Sequence, residues 1–204
     1  MSAIPIFPLH TVLYPDGYLP LQIFEVRYLD MVKRCIEHQE DFGVVALVQG
    51  DEVRKPEQHE TLCAVGTMAH IGEWKAVIPG LMQVRCTGRQ RFRIVSAEQL
   101  KHGLWVADVA LIEDDLTVPI PTDQQDVADS LGVLIQTLQE RGIPSVQMPM
   151  QAPYRLQDAG WVANRWCELL RLPLAQKQLL LAQENPVLRL ELVQDVMVEH
   201  GLLN

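Results

Sequence analysis

The sequence predicts an α+β fold. A small bent β-barrel, or pair of sheets, with one helix occupies residues 1–118, and a bundle of three or four helices occupies 119–204. Three observations lead there. Short apolar, β-branched runs recur between Ile4 and Ile112 at roughly 8–12-residue spacing, with Gly/Pro turns between them. Glu113-Asp114-Asp115, followed by Pro119-Ile120-Pro121, then interrupts the chain with charge and two prolines. Beyond that break the apolar period changes from two to about 3.6 residues.

In the first half, Ile4 and Ile6 begin a strand interrupted by Pro5 and Pro8. Proline gives no N–H to a ladder, so this strand is expected at an edge or a bulge. Tyr14-Pro15-Asp16-Gly17 has turn chemistry, and Leu19-Pro20-Leu21 is extended again. A helix is expected from Phe24, with Phe24, Tyr28, Met31, Val32, Cys35 and Ile36 on one face and Phe24 as a core anchor. Residues 42–48 read as a strand apolar on both faces, and 50–60, which holds Pro56, as a charged loop. Further strands are expected at 63–71, 73–78 (ended by Pro79-Gly80), 81–86, 91–95 and 104–112. Gly88 turns the chain between two of them and permits close backbone approach, while Phe92 and Ile94 point inward together.

In the second half, Thr122 or Asp123 caps a helix bearing Val127, Leu131, Leu134, Ile135 and Leu138, which stops near Arg141-Gly142. Pro144, Pro149 and Pro153 prevent 143–154 from forming one helix. Asp158 precedes a helix with Trp161, Val162, Trp166, Leu169 and Leu170 inward. A short helix covers 175–184, and Asn185-Pro186 opens the last, with Val187, Leu190, Val193, Val196 and Met197 inward.

Four stretches carry a resemblance: the opening PIFPLHTVLYPDGYLPLQIFEVRY, the strand Val65-Gly66-Thr67-Met68-Ala69-His70-Ile71, the hairpin segment Thr87-Gly88-Arg89-Gln90-Arg91-Phe92-Arg93-Ile94, and WVANRWCELLRLPLAQKQLLLAQENPVLR. In order and spacing they resemble the Lon substrate-binding domain, the N-terminal module of ATP-dependent Lon proteases, found also alone in small bacterial proteins and within cereblon. Val26 and Arg171 depart from it, standing where that family commonly has proline. The resemblance covers almost the whole chain and implies a PUA-like β-subdomain. It also implies a module that binds unfolded or apolar peptide segments or a protein partner, as an adaptor or regulator related to proteolysis.

The 204 residues include 26 acidic and 17 basic side chains, a formal charge of −9. That balance disfavours a broad phosphate-backbone binder, which needs a basic surface. Cys35, Cys63, Cys86 and Cys167 are far apart with no C-x-x-C pair. No leader pattern and no membrane-length apolar run is present, so the expected setting is the cytoplasm, with reduced thiols.

No catalytic residues, cofactor or metal are expected. The sequence has no G-x-x-x-x-G-K-[ST], and Ser2, Ser96, Ser130 and Ser145 lie in no nucleophile setting, so the ATPase and Ser–Lys chemistry of Lon are missing. The six histidines form no i, i+4 pair; His59 with Cys63 is the nearest approach to a metal pair and reads as a loop histidine beside a strand cysteine. Glu113, Asp114 and Asp115 read as a solvated charge run, and Glu25 with Arg27 as a charged pair fixing the helix entry.

Binding residues are expected in two places. Met148 and Met150, flexible and polarizable, form with Tyr154 an apolar rim on a proline-rich segment near a cleft between strands and helices, or else pack the two subdomains together. Tyr18 and Trp74 supply the opposite rim. The alternative is RNA binding by Arg89, Arg91 and Arg93, whose alternation with Gln90 and Phe92 places them on one outward face; the acidic balance weighs against it.

Overall fold

A computed structural model describes residues 3–52 and 60–203, so Pro56 and His59 of the charged loop lie outside the described residues. The chain divides into the units Met1–Glu113 and Asp114–Asn204. The division falls inside the acidic run 113–115, ahead of the Pro119/Pro121 pair where the sequence placed it.

The first unit contains β1 (Ile4–Leu9), β2 (Tyr18–Ile23), α1 (Val26–His38), β3 (Phe42–Gln49), β4 (Thr61–Ile78), β5 (Leu81–Gln99) and β6 (Trp105–Leu111). Its six-stranded sheet has the order β2-β5-β4-β3-β1-β6, and a further β5–β6 pairing closes five of the strands into a ring. This is not a clean barrel: β4 and β5 run on past the closed part, where β5 also pairs with β2.

β1 is not an edge strand, contrary to what its prolines suggested. It pairs antiparallel with β6 through Ile4, Pro5 and Ile6, and parallel with β3 through Ile6 to Leu9. The two pairings are staggered and overlap only at Ile6. Pro5 and Pro8 therefore each fall in a stretch with one paired neighbour, which is how the strand tolerates residues lacking an N–H.

The runs expected at 63–71 and 73–78 are one strand, β4, and those at 81–86 and 91–95 are one strand, β5. The register shifts between Thr67 and Ala69, Ile71 and Glu73, and Ala76 and Ile78. Such bulges change which face a residue occupies without ending the strand, so alternation alone reads them as breaks. Gly88 lies within β5 and makes no turn. A Cβ there would collide with the Tyr14 carbonyl oxygen. The Gly88 N–H donates to the Gly17 carbonyl and the Asp16 N–H donates to the Gly88 carbonyl, both at 2.8 Å, fastening the 14–17 turn onto β5.

α1 starts at Val26, with Glu25 at its N-cap. Phe24 is thus outside the helix and 55% exposed, and the expectation of a core anchor is corrected. Tyr28, Met31, Val32 and Cys35 do form the buried face. Val26 is the first helical residue, a position whose N–H lacks an intrahelical acceptor, so proline and valine both fit there.

Two apolar clusters hold this unit. One packs Tyr28, Met31, Val32 and Cys35 of α1 on Phe7, Val44, Met82, Val84 and Cys86 of the sheet. The other contains Ile6, Val45, Phe92 and Ala107, with Ile94 packed against it as expected. Gly43 and Gly66 make the room for Phe92: a Cβ on either would come within 2.7 and 2.6 Å of the Phe92 ring. Full burial of such a ring contributes about 1.5–3 kcal/mol.

The second unit contains α2 (Gln125–Glu140), α3 (Ala159–Leu169), α4 (Leu174–Ala182) and α5 (Pro186–Glu199). Neither Thr122 nor Asp123 caps α2; both lie in a 3₁₀ turn, Thr122–Gln124, that precedes it. Asp158 caps α3 by accepting from the Gly160 N–H at 3.1 Å. Asn185 caps α5 by accepting from the N–H groups of Val187 and Leu188. α3 is buried from Ala159 to Cys167, including Arg165, and Trp166 Nε1 donates to the Val127 carbonyl of α2 at 2.9 Å. Arg189 of α5, fully buried, donates to Asp115, to Asn164 Oδ1 at 3.0 Å and to the carbonyls of Leu180 and Gln183. Asp115 is therefore a structural anion, which corrects its reading as part of a solvated run. Among the described residues no helix is long and apolar enough to cross a membrane.

Candidate functional site

β2 and the entry to α1 frame a pocket of about 250 Å³ in the first unit, lined by Phe7, Leu9, Pro20, Leu21, Gln22, Ile23, Phe24, Glu25, Tyr28 and Glu52. The alternation of β2 buries Ile23 and half-buries Leu19 and Leu21. Phe24 turns outward because it precedes the N-cap, and it borders the pocket from that position.

Arg27 fixes this entry. Its Nε donates to Glu25 Oε2 at 3.1 Å and its Nη1 to the Gly103 carbonyl at 2.6 Å, and its guanidinium lies 4.5 Å from the centre of the Tyr28 ring. It also donates to the Glu52 carbonyl at 3.4 Å and stands 3.8 Å from a Glu60 carboxylate oxygen. The expected structural role of the Glu25–Arg27 pair is what the geometry shows. The Tyr28 ring stacks on Phe7. Its hydroxyl is buried and, among the described residues, has no hydrogen-bond partner. Burial raises the Tyr28 pKa above the ordinary tyrosine value; Arg27 opposes the shift, and Glu60, Glu25 and Glu52 add to it.

The outer part of β4 carries exposed Trp74, Val77 and Ile78. Ile23 pairs with Met82, Met82 with Ala76, and Leu81 with Ile78, so Phe24 emerges at the same end of the sheet as Val77 and Ile78. The register separates Tyr18 from Trp74, however. Tyr18 pairs with Thr87 and Trp74 with Val84, positions an odd number of residues apart on β5, so the two side chains point to opposite faces.

Of the other expected binding residues, Met148 and Met150 are 4% and 1% exposed and offer no free surface. Tyr154 is half-buried, its ring 6.4 Å from that of Trp161. The arginines do not share an outward face either. Thr67 pairs with Arg91 and Ala69 with Gly88, which leaves one extra residue on β5 between them. That bulge puts Arg89 on the face opposite Arg91 and Arg93; Arg91 is 2% exposed, while Arg89 and Arg93 are exposed. Arg89 donates to Asp41 Oδ2 at 3.2 Å, and the other Asp41 oxygen lies 2.8 Å from His70 Nδ1.

Among the described residues no group of three or more His, Cys, Asp or Glu side chains is placed to hold a metal ion. His59 lies outside the described residues, so its proximity to Cys63 is not described. Sequence reasoning missed Phe7, Leu21, Phe24 and Glu52 as pocket residues. A signal for Phe24 was present: with Glu25 as the N-cap, the residue before it cannot belong to the helix face.

The architecture is that of a mixed α+β module with a six-stranded sheet, five helices and an open apolar pocket. The chain belongs to the family of the ATP-dependent protease La (LON) substrate-binding domain, which it matches over residues 3–199. Its fold is similar to the crystal structure of a Lon N-terminal domain protein from Xanthomonas campestris, with a TM-score of 0.73 and 29% identity over 96% of this chain and 98% of that one. The N-terminal domain of a Mycobacterium avium complex Lon protease shares the fold at 16% identity and a TM-score of 0.63, covering 98% of this chain and all of that one. Cereblon from Gallus gallus is 30% identical over 117 residues, which is 55% of this chain and 24% of that protein. The chain thus matches about a quarter of the length of that relative.

Proposed function

We propose that this chain is a non-catalytic recognition module that binds apolar segments of unfolded polypeptides, and that it serves proteolysis as an adaptor or regulator. The observation that carries the reading is the concentration of exposed apolar side chains at one end of the first unit's sheet. Phe24, Trp74, Val77 and Ile78 are all exposed there, and Phe24 also borders the pocket walled by Phe7, Leu9 and Leu21. Leaving such side chains in water forgoes roughly 25 cal/mol for each Å² of apolar surface that could be buried, and large exposed apolar surface marks interaction sites. Membership in a substrate-binding family supports the same reading.

The nucleic-acid alternative has less support, because Arg91 is buried and Arg89 is paired with Asp41. The test is capture of a permanently unfolded, carboxymethylated polypeptide by the full chain, followed by fluorescence anisotropy. Trp74→Ser with Ile78→Ser is expected to weaken capture severalfold while the far-UV spectrum stays unchanged. Undiminished capture by that variant removes this surface from the reading. Failure to co-purify with protease subunits under native conditions removes the adaptor role.

A further inference from the structure

The walls of the β2–α1 pocket are apolar, but its charge is not neutral. Glu25 and Glu52 both line it, and the Glu60 carboxylate stands just beyond, near Arg27. Among the described residues Arg27 contacts these groups, its guanidinium already committed to Glu25, to the Gly103 and Glu52 carbonyls and to the Tyr28 ring, and the His10 imidazole stands 3.7 Å from a Glu52 carboxylate oxygen. The Glu52 carboxylate accepts from the His10 N–H at 2.5 Å and remains 42% exposed on its side chain.

A wholly apolar guest would cover these oxygens and return nothing. Burying a polar group without a new partner is costly, and burying an ionised one more so. A guest with a methylene stem and a cationic head behaves differently. The stem packs on Leu9, Leu21 and Phe24, as long basic side chains do on apolar surface. The head supplies N–H donors to the exposed Glu52 carboxylate, in charge-assisted bonds stronger than neutral ones.

We infer that the pocket takes a lysine or arginine side chain presented within an apolar polypeptide segment. The module therefore prefers segments in which one basic residue interrupts an apolar run. This rests on the recognition reading above and goes beyond it by naming the anchor.

The test uses the full chain and three fluorescein-labelled nonapeptides, identical and leucine-rich except for a central lysine, norleucine or glutamate. Affinity is read by anisotropy at low and high salt. The lysine peptide is expected to bind about tenfold more tightly than the norleucine peptide at low salt, the scale of one charge-assisted hydrogen bond. The advantage shrinks with salt and disappears in Glu52→Gln.

Equal or tighter binding of the norleucine peptide overturns the basic anchor and leaves apolar recognition standing. A lysine advantage that survives Glu52→Gln unchanged places the cation elsewhere and also overturns it. Binding of none of the three peptides overturns both the anchor and the recognition reading at this site.

Discussion

Phe7 of β1 and Tyr28 of α1 stack with their ring centroids 4.1 Å apart and their planes at 23°. The pair joins the helix to the sheet and also lines the pocket. Offset aromatic pairs of this kind contribute about 0.5–1.5 kcal/mol beyond the area they bury.

Phe7 and Phe24 should therefore respond in opposite ways to truncation. Phe7 is 7% exposed, and Phe7→Ala is expected to cost about 3–5 kcal/mol, as for other buried aromatics. Phe24→Ala should stay within about 0.5 kcal/mol, as at surface sites, and weaken peptide capture. Urea unfolding of the two variants, with the slope of the transition checked for constancy, separates these outcomes.

The same two residues show what could be learned from the sequence. The apolar face Tyr28–Met31–Val32–Cys35 was readable because a helix repeats its face every three or four residues. Phe24 fits that spacing from Tyr28, yet it lies before the N-cap, and spacing carries no information about where a helix begins. The strands were readable as apolar segments, but their joining into β4 and β5 was not, because a bulge shifts alternation locally while the ladder continues. The bulge opposite Thr67 and Ala69 also parted Arg89 from the face of Arg91 and Arg93, which depends on a pairing partner distant in sequence. Met148 and Met150 pose the converse problem: methionine suits adaptable surfaces and irregular cores equally, and here they are buried.

Gly88 is required by an approach of two chain segments rather than by a turn. Its amide and carbonyl are both engaged by the 14–17 turn, and a Cβ would meet the Tyr14 carbonyl. Gly88→Ala must push the turn away from β5, and about 1–3 kcal/mol of destabilisation is expected, as for other overpacked sites. Thermal unfolding measures it. Hydrogen exchange should show faster loss of protection at the Asp16 and Gly17 amides than at β3.

Arg189 holds the second unit through one buried guanidinium. Arg189→Ala takes the Arg189 guanidinium away from Asp115 and strips donors from Asn164 and the Leu180 and Gln183 carbonyls. Removing one partner of a buried pair typically costs about 3–5 kcal/mol. Asp115→Asn keeps an acceptor beside the arginine and should cost less. The order of the two variants in chemical denaturation checks the assignment.

Alkaline pH provides a test of the α1–sheet core. Burial, with a contribution from Glu40, pushes the Cys35 thiol up to about 11, and burial, with a contribution from Cys35, pushes Cys86 up to about 12. In the unfolded chain both thiols ionise near their ordinary value of 9.0. Above that value the unfolded state holds fewer protons than the folded one, so stability falls as pH rises. The stabilising contribution is complete below about pH 9 and is lost progressively as pH approaches the folded-state values. Tyr28, shifted in the same direction by its burial, adds to the loss at higher pH. Cys86→Ala should lower stability at neutral pH through lost packing yet flatten the decline above about pH 9, because one of the titrating groups is gone. Urea midpoints of the wild type and of Cys86→Ala across that range decide it: parallel slopes would mean that Cys86 titrates normally and is not in the buried contact with α1.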